Sequence, residues 1–454
     1  MKIGEECGIF GGYAYNNPIA PYIKEGLFML QHRGQESAGV CCGDSVLSLY
    51  KEQGLVSTAL RGELIDEISG YFGIGHVRYS TQGNSDKLHA QPYLLNFLNE
   101  TVAISHNGNI GKAVSMMKEL ELNGEVFTTS SDTEMIIKKV IKELCSAPST
   151  WDLVEVGKIL QQNFSGGAWS ILVALPERVF AYRDPLGYRP LFLCEAKEGI
   201  FLASEDSAFQ NLTINKVFEI QAGQAVEVSK NGYRIERFHE KIETKQCVFE
   251  HIYFSRPDSN VFGRNVYLSR VELGKTLAKQ NKTNADIVVP VMDSGLASSI
   301  GYSQESGIPL QIGLLRNHWV GRTFIQPRQK DREKSVRQKL IPIKSVIENQ
   351  RIILVDDSLV RGTTSKILVK MIREAGAKEI HFKIASPMIV NTCGWGVDIP
   401  DKEQLIAEKY SKEQQIADFI GADSVEFIHL QGLKQYFGQS GWCYNCFERN
   451  SCGL

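Results

Sequence analysis

RIILVDDSLVRGTT, residues 351–364, decides the fold of this 454-residue chain. Residues 351–355 form a short apolar run rich in β-branched side chains, the pattern of a strand buried on both faces of a parallel sheet. Asp356 and Asp357 fall where that strand runs out. Ser358, Arg361, Gly362, Thr363 and Thr364 then make a small, hydroxyl-rich turn whose N–H groups are free to hold a phosphate. A helix follows, with Ile367, Leu368, Met371, Ile372 and Ala375 on one apolar face and Gly376 at its C-terminal end. Strand, acid pair, phosphate-cradling turn and helix place a ligand site at the carboxyl end of an open α/β sheet. Paired acids there can accept hydrogen bonds from sugar hydroxyls or join a phosphate in holding Mg²⁺. The plain alternative, two solvated acids capping a helix, explains neither the apolar strand before them nor the RGTT after them.

A second loop repeats the design. Residues 287–291 are another apolar strand, ending in Met292, Asp293, Ser294 and Gly295 ahead of a helix, a loop suited to pyrophosphate. Between the two lies a basic stretch, 322–339, with Arg322, Arg328, Lys330, Arg332, Lys334, Arg337 and Lys339 against only Asp331 and Glu333. A solvated basic helix or a nucleic-acid patch is the simpler explanation, but no aromatic residue lies among the basic ones between Arg328 and Lys339 for base stacking. The first loop resembles the phosphoribosyl-pyrophosphate (PRPP) motif of the phosphoribosyltransferases, and that resemblance implies that the basic stretch is a lid over PRPP.

Composition narrows the classes. A chain of this length holds roughly two to four domains. Its 43% hydrophobic and 22% charged residues are those of an ordinary soluble protein. The net charge of −2 supplies no bulk attraction to nucleic acid or anionic membrane. No apolar run approaches a membrane span, and MKIGEE is too short and acidic for a signal peptide, so a cytoplasmic protein is expected.

The N-terminal half carries a different chemistry. Cys7 opens a strand-like run, CGIFGG. If residues 1–6 are removed, Cys7 has both a thiol and an α-amine, which titrate near pH 8.5 and 8, so the amine can act as the base for its own nucleophile. QHRGQES places Arg33 beside Gly34; GHVRYST places Arg78 at a strand end. SHNGN joins the Asn107 amide to the flexible N–H of Gly108, as an oxyanion hole requires. SSDTE sets Asp132 at a helix start, where it could equally be a cap. Each alone is commonplace. In this order they resemble the glutaminase domain of the class II, N-terminal-nucleophile amidotransferases. With the PRPP motif downstream, nearly the whole chain resembles the glutamine phosphoribosylpyrophosphate amidotransferases (amidophosphoribosyltransferases).

The resemblance implies α/β and α+β architecture. Residues 1–6 would be a propeptide, 7–240 an αββα N-terminal-nucleophile glutaminase domain, closed by a hairpin around Asn231-Gly232. Residues 241–454 would be a type I phosphoribosyltransferase domain with a mainly parallel sheet. Cys7 would be nucleophile, Asn107 and Gly108 the oxyanion hole, and Arg33, Arg78 and Asp132 glutamine-binding residues. Asp293, Ser294, Gly295, Asp356, Asp357, Ser358, Arg361, Gly362, Thr363 and Thr364 would bind PRPP, with Ser294, Asp356 and Asp357 also on Mg²⁺. The family usually has proline where this chain has Met292. The implied reaction moves glutamine-derived ammonia to C1 of PRPP, the first committed step of purine synthesis. A homotetramer inhibited by purine nucleotides is implied as well, with no nucleic-acid or membrane partner. The rivals are a non-catalytic PRPP or nucleotide sensor and a class II amidotransferase with another acceptor.

Ten cysteines in an apparently cytoplasmic chain suggest ligands, catalysis or buried apolar groups before disulfides. Only Cys443 and Cys446 have ligand spacing, a pattern that serves zinc, redox chemistry or neither. From the residues alone zinc is favoured. CVFEHIYFSRPDS, NTCGWGVD and GWCYNC resemble the Bacillus-type branch of the family, which implies a [4Fe–4S] cluster on Cys247, Cys393, Cys443 and Cys446. Cys452 is near enough to compete as a ligand, while Cys41, Cys42, Cys145 and Cys194 are expected to be apolar filler.

Overall fold

The computed structural model describes residues 5–62, 65, 67–80, 87–97, 100–146, 151–317, 334 and 336–449. Residues 1–4, most of the basic stretch 322–339 and Cys452 lie outside the described residues.

The first half is built from strands that alternate between two cores. In Glu5–Ala14, Ile9 faces one core and Phe10 and Ala14 the other, as the two-residue side-chain period requires. This strand sits inside a seven-stranded antiparallel sheet, paired with Phe72–Ser80 on one side and Gly199–Ala203 on the other. A six-stranded antiparallel sheet faces it, and Ile9, Ile74, Leu172, Ala181 and Val226 fill the space between them. The helix Ala20–Met29 covers the outer face of the first sheet. Ala113–Leu122, Asp132–Ser146 and Leu153–Phe164 cover the outer face of the second. The result is the expected αββα sandwich. Its last hairpin pairs Gln224–Ser229 with Gly232–Arg237, and Ser229 stands opposite Gly232. The two turn residues are therefore Lys230 and Asn231, one place earlier than Asn231-Gly232, and Gly232 (φ 114°) begins the returning strand.

In the second half four parallel strands run in the order Ile287–Pro290, Arg351–Asp356, Glu379–Ile384 and Ser424–Phe427. Cores on both faces bury Ile352 and Leu354 on one side and Ile353 and Val355 on the other, which is why residues 351–355 carry no polar alternation. The helix Thr363–Glu374 follows. It buries Leu368, Val369, Met371 and Ile372, each worth roughly 1.5–3 kcal/mol. Gly376 ends it with φ 97°, in the left-handed region where a side chain would be strained.

The halves are clamped by buried charge. Arg33 gives its Nε–H to Glu205 and its Nη groups to both oxygens of Glu250, and Nη2 also reaches Ser255 Oγ at 3.2 Å. Arg189 meets the same Glu250 at 3.1 Å and donates to the Trp395 carbonyl at 3.0 Å. Asp184 closes the turn before it by accepting the Leu186 N–H at 2.9 Å, and Tyr188 stacks on Trp395. Glu205 in return accepts the Arg256 N–H at 3.0 Å and the Ser259 hydroxyl at 2.5 Å. Each half thus sends a fully buried carboxylate into donors of the other. Removing one partner from such a network costs roughly 3–5 kcal/mol, because it strands the remaining charges.

Candidate active site

Cys7 is buried in its strand, directly opposite Arg78 in the register. The loop before Ser37–Gly43 lies tight on the neighbouring strand that carries Arg78: a Cβ at Gly34 would come within 2.6 Å of the Arg78 backbone. Ser204 Oγ accepts the Ile9 N–H at 3.1 Å and the Asn107 side-chain amide at 3.3 Å. One hydroxyl therefore ties the Cys7 strand to the side chain expected to hold an oxyanion. Gly108 has φ 151°, and a Cβ there would fall 2.0 Å from the Ala168 carbonyl oxygen, so only glycine fits. Asp132 heads its helix, fully buried, and accepts the Ile110 N–H at 3.0 Å, with His106 Nδ1 at 3.5 Å. Cys7, Arg78, Asn107, Gly108 and Asp132 thus gather on adjoining parts of the two facing sheets and the helix behind them. A thiol, a cation, an amide beside a bare N–H, and a carboxylate are the groups needed to attack an α-amino acid amide and hold both its charged ends.

Arg33 does something else. Its three guanidinium nitrogens are committed to Glu205, Glu250 and Ser255, so the side chain clamps the two halves rather than serving as a glutamine contact. The motif QHRG places this arginine near Cys7, but its partners are 172 and 217 residues away, beyond the reach of any local pattern.

The second centre is a cavity of about 380 Å³ at the carboxyl ends of the parallel strands. Asp356, Asp357, Ser358, Arg361, Gly362, Thr363 and Thr364 all line it. Gly362 caps the following helix at φ 73°, and Thr363 and Thr364, at the helix start where N–H groups lack intrahelical partners, line the cavity. Ser294 Oγ donates to Asp356 Oδ1 at 3.0 Å, joining the second loop to the acid pair. Ser358 Oγ donates to Asp357 Oδ1 at 2.6 Å. Burial pushes both carboxyl groups upward, Asp356 well above the usual range, and the charge of Asp357 adds to the shift of Asp356. A divalent cation or a pair of sugar hydroxyls would relieve this strain, so the donor set fits Mg²⁺. In the other loop the Met292–Asp293 peptide is cis. Asp293 is exposed and pairs with Arg316, and Gly295 packs where a Cβ would be 2.2 Å from the Val355 carbonyl oxygen.

Sequence reasoning missed half of this lining. His32 and Tyr79 enter from the first half, and Tyr253, Phe254, Val397 and Asp398 from distant parts of the second. Burial holds the Asp398 carboxyl up to about 6, against the pull of Arg361.

Cys247 and Cys443 stand opposite each other in a two-residue parallel ribbon. The Cys446 carbonyl accepts the Val390 and Asn391 N–H groups, and Cys393 Sγ accepts the Trp395 N–H at 3.3 Å. The four thiols lie within electrostatic reach of one another. Burial pushes Cys247, Cys443 and Cys446 up, Cys443 to about 12, and neighbouring thiols add to it. Four half-buried cysteines brought into one neighbourhood form a donor set that fits a thiolate-binding cationic group. Among the described residues no set of three or more Cys, His, Asp or Glu side chains is already drawn around a single ion position. Cys41, Cys42 and Cys194 are core residues as expected. Cys145 is exposed instead, because Leu144 takes the inward place near the end of its helix.

A family model for a glutamine amidotransferase domain matches residues 76–211. The amidophosphoribosyltransferase of Methanocaldococcus jannaschii is 40% identical, over 97% of this chain and 96% of its own. That of Bacillus subtilis is 39% identical, over 98% and 94%. Two solved structures match over 97% of this chain at 37% identity. One is the glutamine PRPP amidotransferase of B. subtilis complexed with ADP and GMP, with TM-score 0.86 over 96% of that chain. The other is described as the allosteric regulatory enzyme of purine biosynthesis, with TM-score 0.87 over 95% of that chain.

Proposed function

The chain belongs to the amidophosphoribosyltransferase family, and on that premise we propose that it transfers ammonia from glutamine to C1 of PRPP, yielding 5-phosphoribosylamine, glutamate and pyrophosphate. The observation that carries this reading is the shared lining of one cavity, where His32 and Tyr79 of the glutamine-binding half meet the acid pair and phosphate turn of the other. Ammonia formed beside Cys7 therefore has an acceptor pocket at the seam, through an interior route that the family implies.

In the first half-reaction the Cys7 thiol, deprotonated by its own α-amine once residues 1–6 are gone, attacks the glutamine side-chain carbonyl. Arg78 holds the α-carboxylate and Asp132 the α-ammonium, while Asn107 and Gly108 donate to the oxyanion. Ammonia departs, and water releases glutamate from the thioester. In the second, ammonia attacks C1 as pyrophosphate leaves. Asp356 and Asp357 hold the ribose hydroxyls. Ser358 and residues 361–364 hold the 5-phosphate, while residues 293–295 face the pyrophosphate. Ser294, Asp356 and Asp357 would bind Mg²⁺, which when present offsets charge on the leaving group. The basic stretch 322–339 would close over the pocket.

Glutamate and pyrophosphate should appear in equal amounts when glutamine and PRPP are supplied together. A nucleotide sensor would release neither, and an amidotransferase with another acceptor would release glutamate without pyrophosphate.

Cys247, Cys393, Cys443 and Cys446 would hold a [4Fe–4S] cluster, stapling the linker segment to the C-terminal segment. Anaerobically prepared protein is expected to contain about four iron and four sulfide per chain; zinc in their place would overturn the assignment. Purine nucleotides as inhibitors are supported by the ADP and GMP of the B. subtilis relative. A homotetramer and a cytoplasmic location complete the proposal. Among the described residues no helix is long and apolar enough to cross a membrane.

A further inference from the structure

The acceptor step leaves a proton to be placed. When ammonia attacks C1, the new nitrogen carries three hydrogens and a positive charge, and the amine product forms only when one proton leaves. Among the described residues that line the cavity, the groups able to take it are His32, Asp398 and the acid pair. Asp356 and Asp357 are reserved for ribose and cation in the reading above, on which this inference rests. His32 is the one imidazole there. Its Nε2 lies 2.7 Å from Glu205 Oε1, and its side chain keeps 22% exposure, whereas that of Glu205 has none. Burial opposes ionisation of Glu205, but His32 and Arg33 together hold its carboxyl well below the ordinary range. It is therefore a fixed anion beside the ring, the arrangement that orients a general base.

We propose that His32, oriented by Glu205, is the proton acceptor for the attacking nitrogen in the PRPP half-reaction. Nε2–H donates to Glu205, so Nδ1 is the nitrogen available to a molecule in the cavity. The N–C1 bond forms, and the C1–O bond breaks with its electron pair leaving on pyrophosphate. One N–H proton passes to Nδ1, and the imidazolium returns it to water through the ring's exposed edge. Glu205 stays ionised throughout and is a positioning residue.

The test uses the full chain with an ammonium salt as nitrogen donor, following pyrophosphate release, so that Cys7 chemistry is bypassed. His32→Ala and His32→Gln should each lower kcat by on the order of 10²-fold or more, with KM for PRPP changed little. Added imidazole should restore part of the His32→Ala rate. An unchanged kcat would overturn the proposal. So would a fall in kcat with a matching rise in KM and no imidazole rescue, which marks a purely structural role for the His32–Glu205 pair. Loss of kcat in Asp398→Asn alone would assign the proton to Asp398 instead. If unaltered protein releases no pyrophosphate from PRPP and ammonia, the family reading itself has failed, a result distinct from all of these.

Discussion

Cys7→Ser is expected to lower glutamine-dependent transfer by roughly 10⁴-fold or more, while transfer from an ammonium salt persists. The substitution changes one atom, so the strand pairing with Arg78 and the Ser204 tie to Asn107 should survive. What is lost is acidity. A thiol near pH 8.5 lies within reach of an α-amine near pH 8, and a serine hydroxyl does not. Two assays separate the readings: glutamate release from glutamine, and pyrophosphate release with ammonium. Loss of both would show that Cys7 only fills the sheet. The mass of the N-terminus belongs to the same experiment, because the amine can act as base only in protein that begins at Cys7. Full glutamine turnover by protein retaining residues 1–6 would remove the amine from the mechanism.

Asp356→Asn and Asp357→Asn should each cut kcat/KM for PRPP by on the order of 10²-fold, a barrier increase of about 2.7 kcal/mol. Asparagine keeps the shape and one acceptor oxygen but removes the charge that a divalent cation needs. The same variants should make the unliganded protein harder to unfold at neutral pH. Both carboxyl groups are raised in the folded state, mainly by burial. An acid whose folded pKa is raised binds its proton more tightly in the folded state, so its contribution to stability falls as pH rises through that pKa. At neutral pH the acid pair therefore weakens the fold, and its neutralisation strengthens it, as expected where function is kept against stability. Activity and unfolding temperature would move in opposite directions. A variant less active and less stable would instead mean that the pair supports the fold.

The acceptor loop was legible because everything that defines it is local. Four apolar letters, Ile352 to Val355, make the strand's buried run, Gly362 and Gly376 mark the helix ends, and the loop's own cavity-lining residues run from 356 to 364. The clamp was not legible, since Glu205 and Glu250 are ordinary glutamates until the fold brings them to Arg33. His32 stands in the same quoted motif as Arg33, yet nothing in QHRG says that one residue enters the acceptor cavity and its neighbour an ion cluster. The hairpin slip of one residue has a simpler cause: Lys230-Asn231 and Asn231-Gly232 can both form the two-residue turn, and cross-strand register decides between them. Cys145 was misjudged because a helix of mixed polarity has an outer face, and composition does not say which cysteine occupies it.

The buried clamp also sets an order of assembly during synthesis. Once residue 238 has been made, the antiparallel sandwich can fill the core between its sheets and the one under its three outer helices, while the core behind its first sheet still lacks Val261, Phe262 and Val266. At that moment Arg33, Arg189 and Glu205 still lack Glu250, Ser255 and Ser259, and the ribbon through Cys247 waits for Cys443 near the other end of the chain. Nascent protein must therefore carry Arg189 without its carboxylate, and Arg33 with only one of its two, until residues 250–259 have been made. The seam would be the last region to lose water and the first through which a stalled or truncated chain finds a wrong partner.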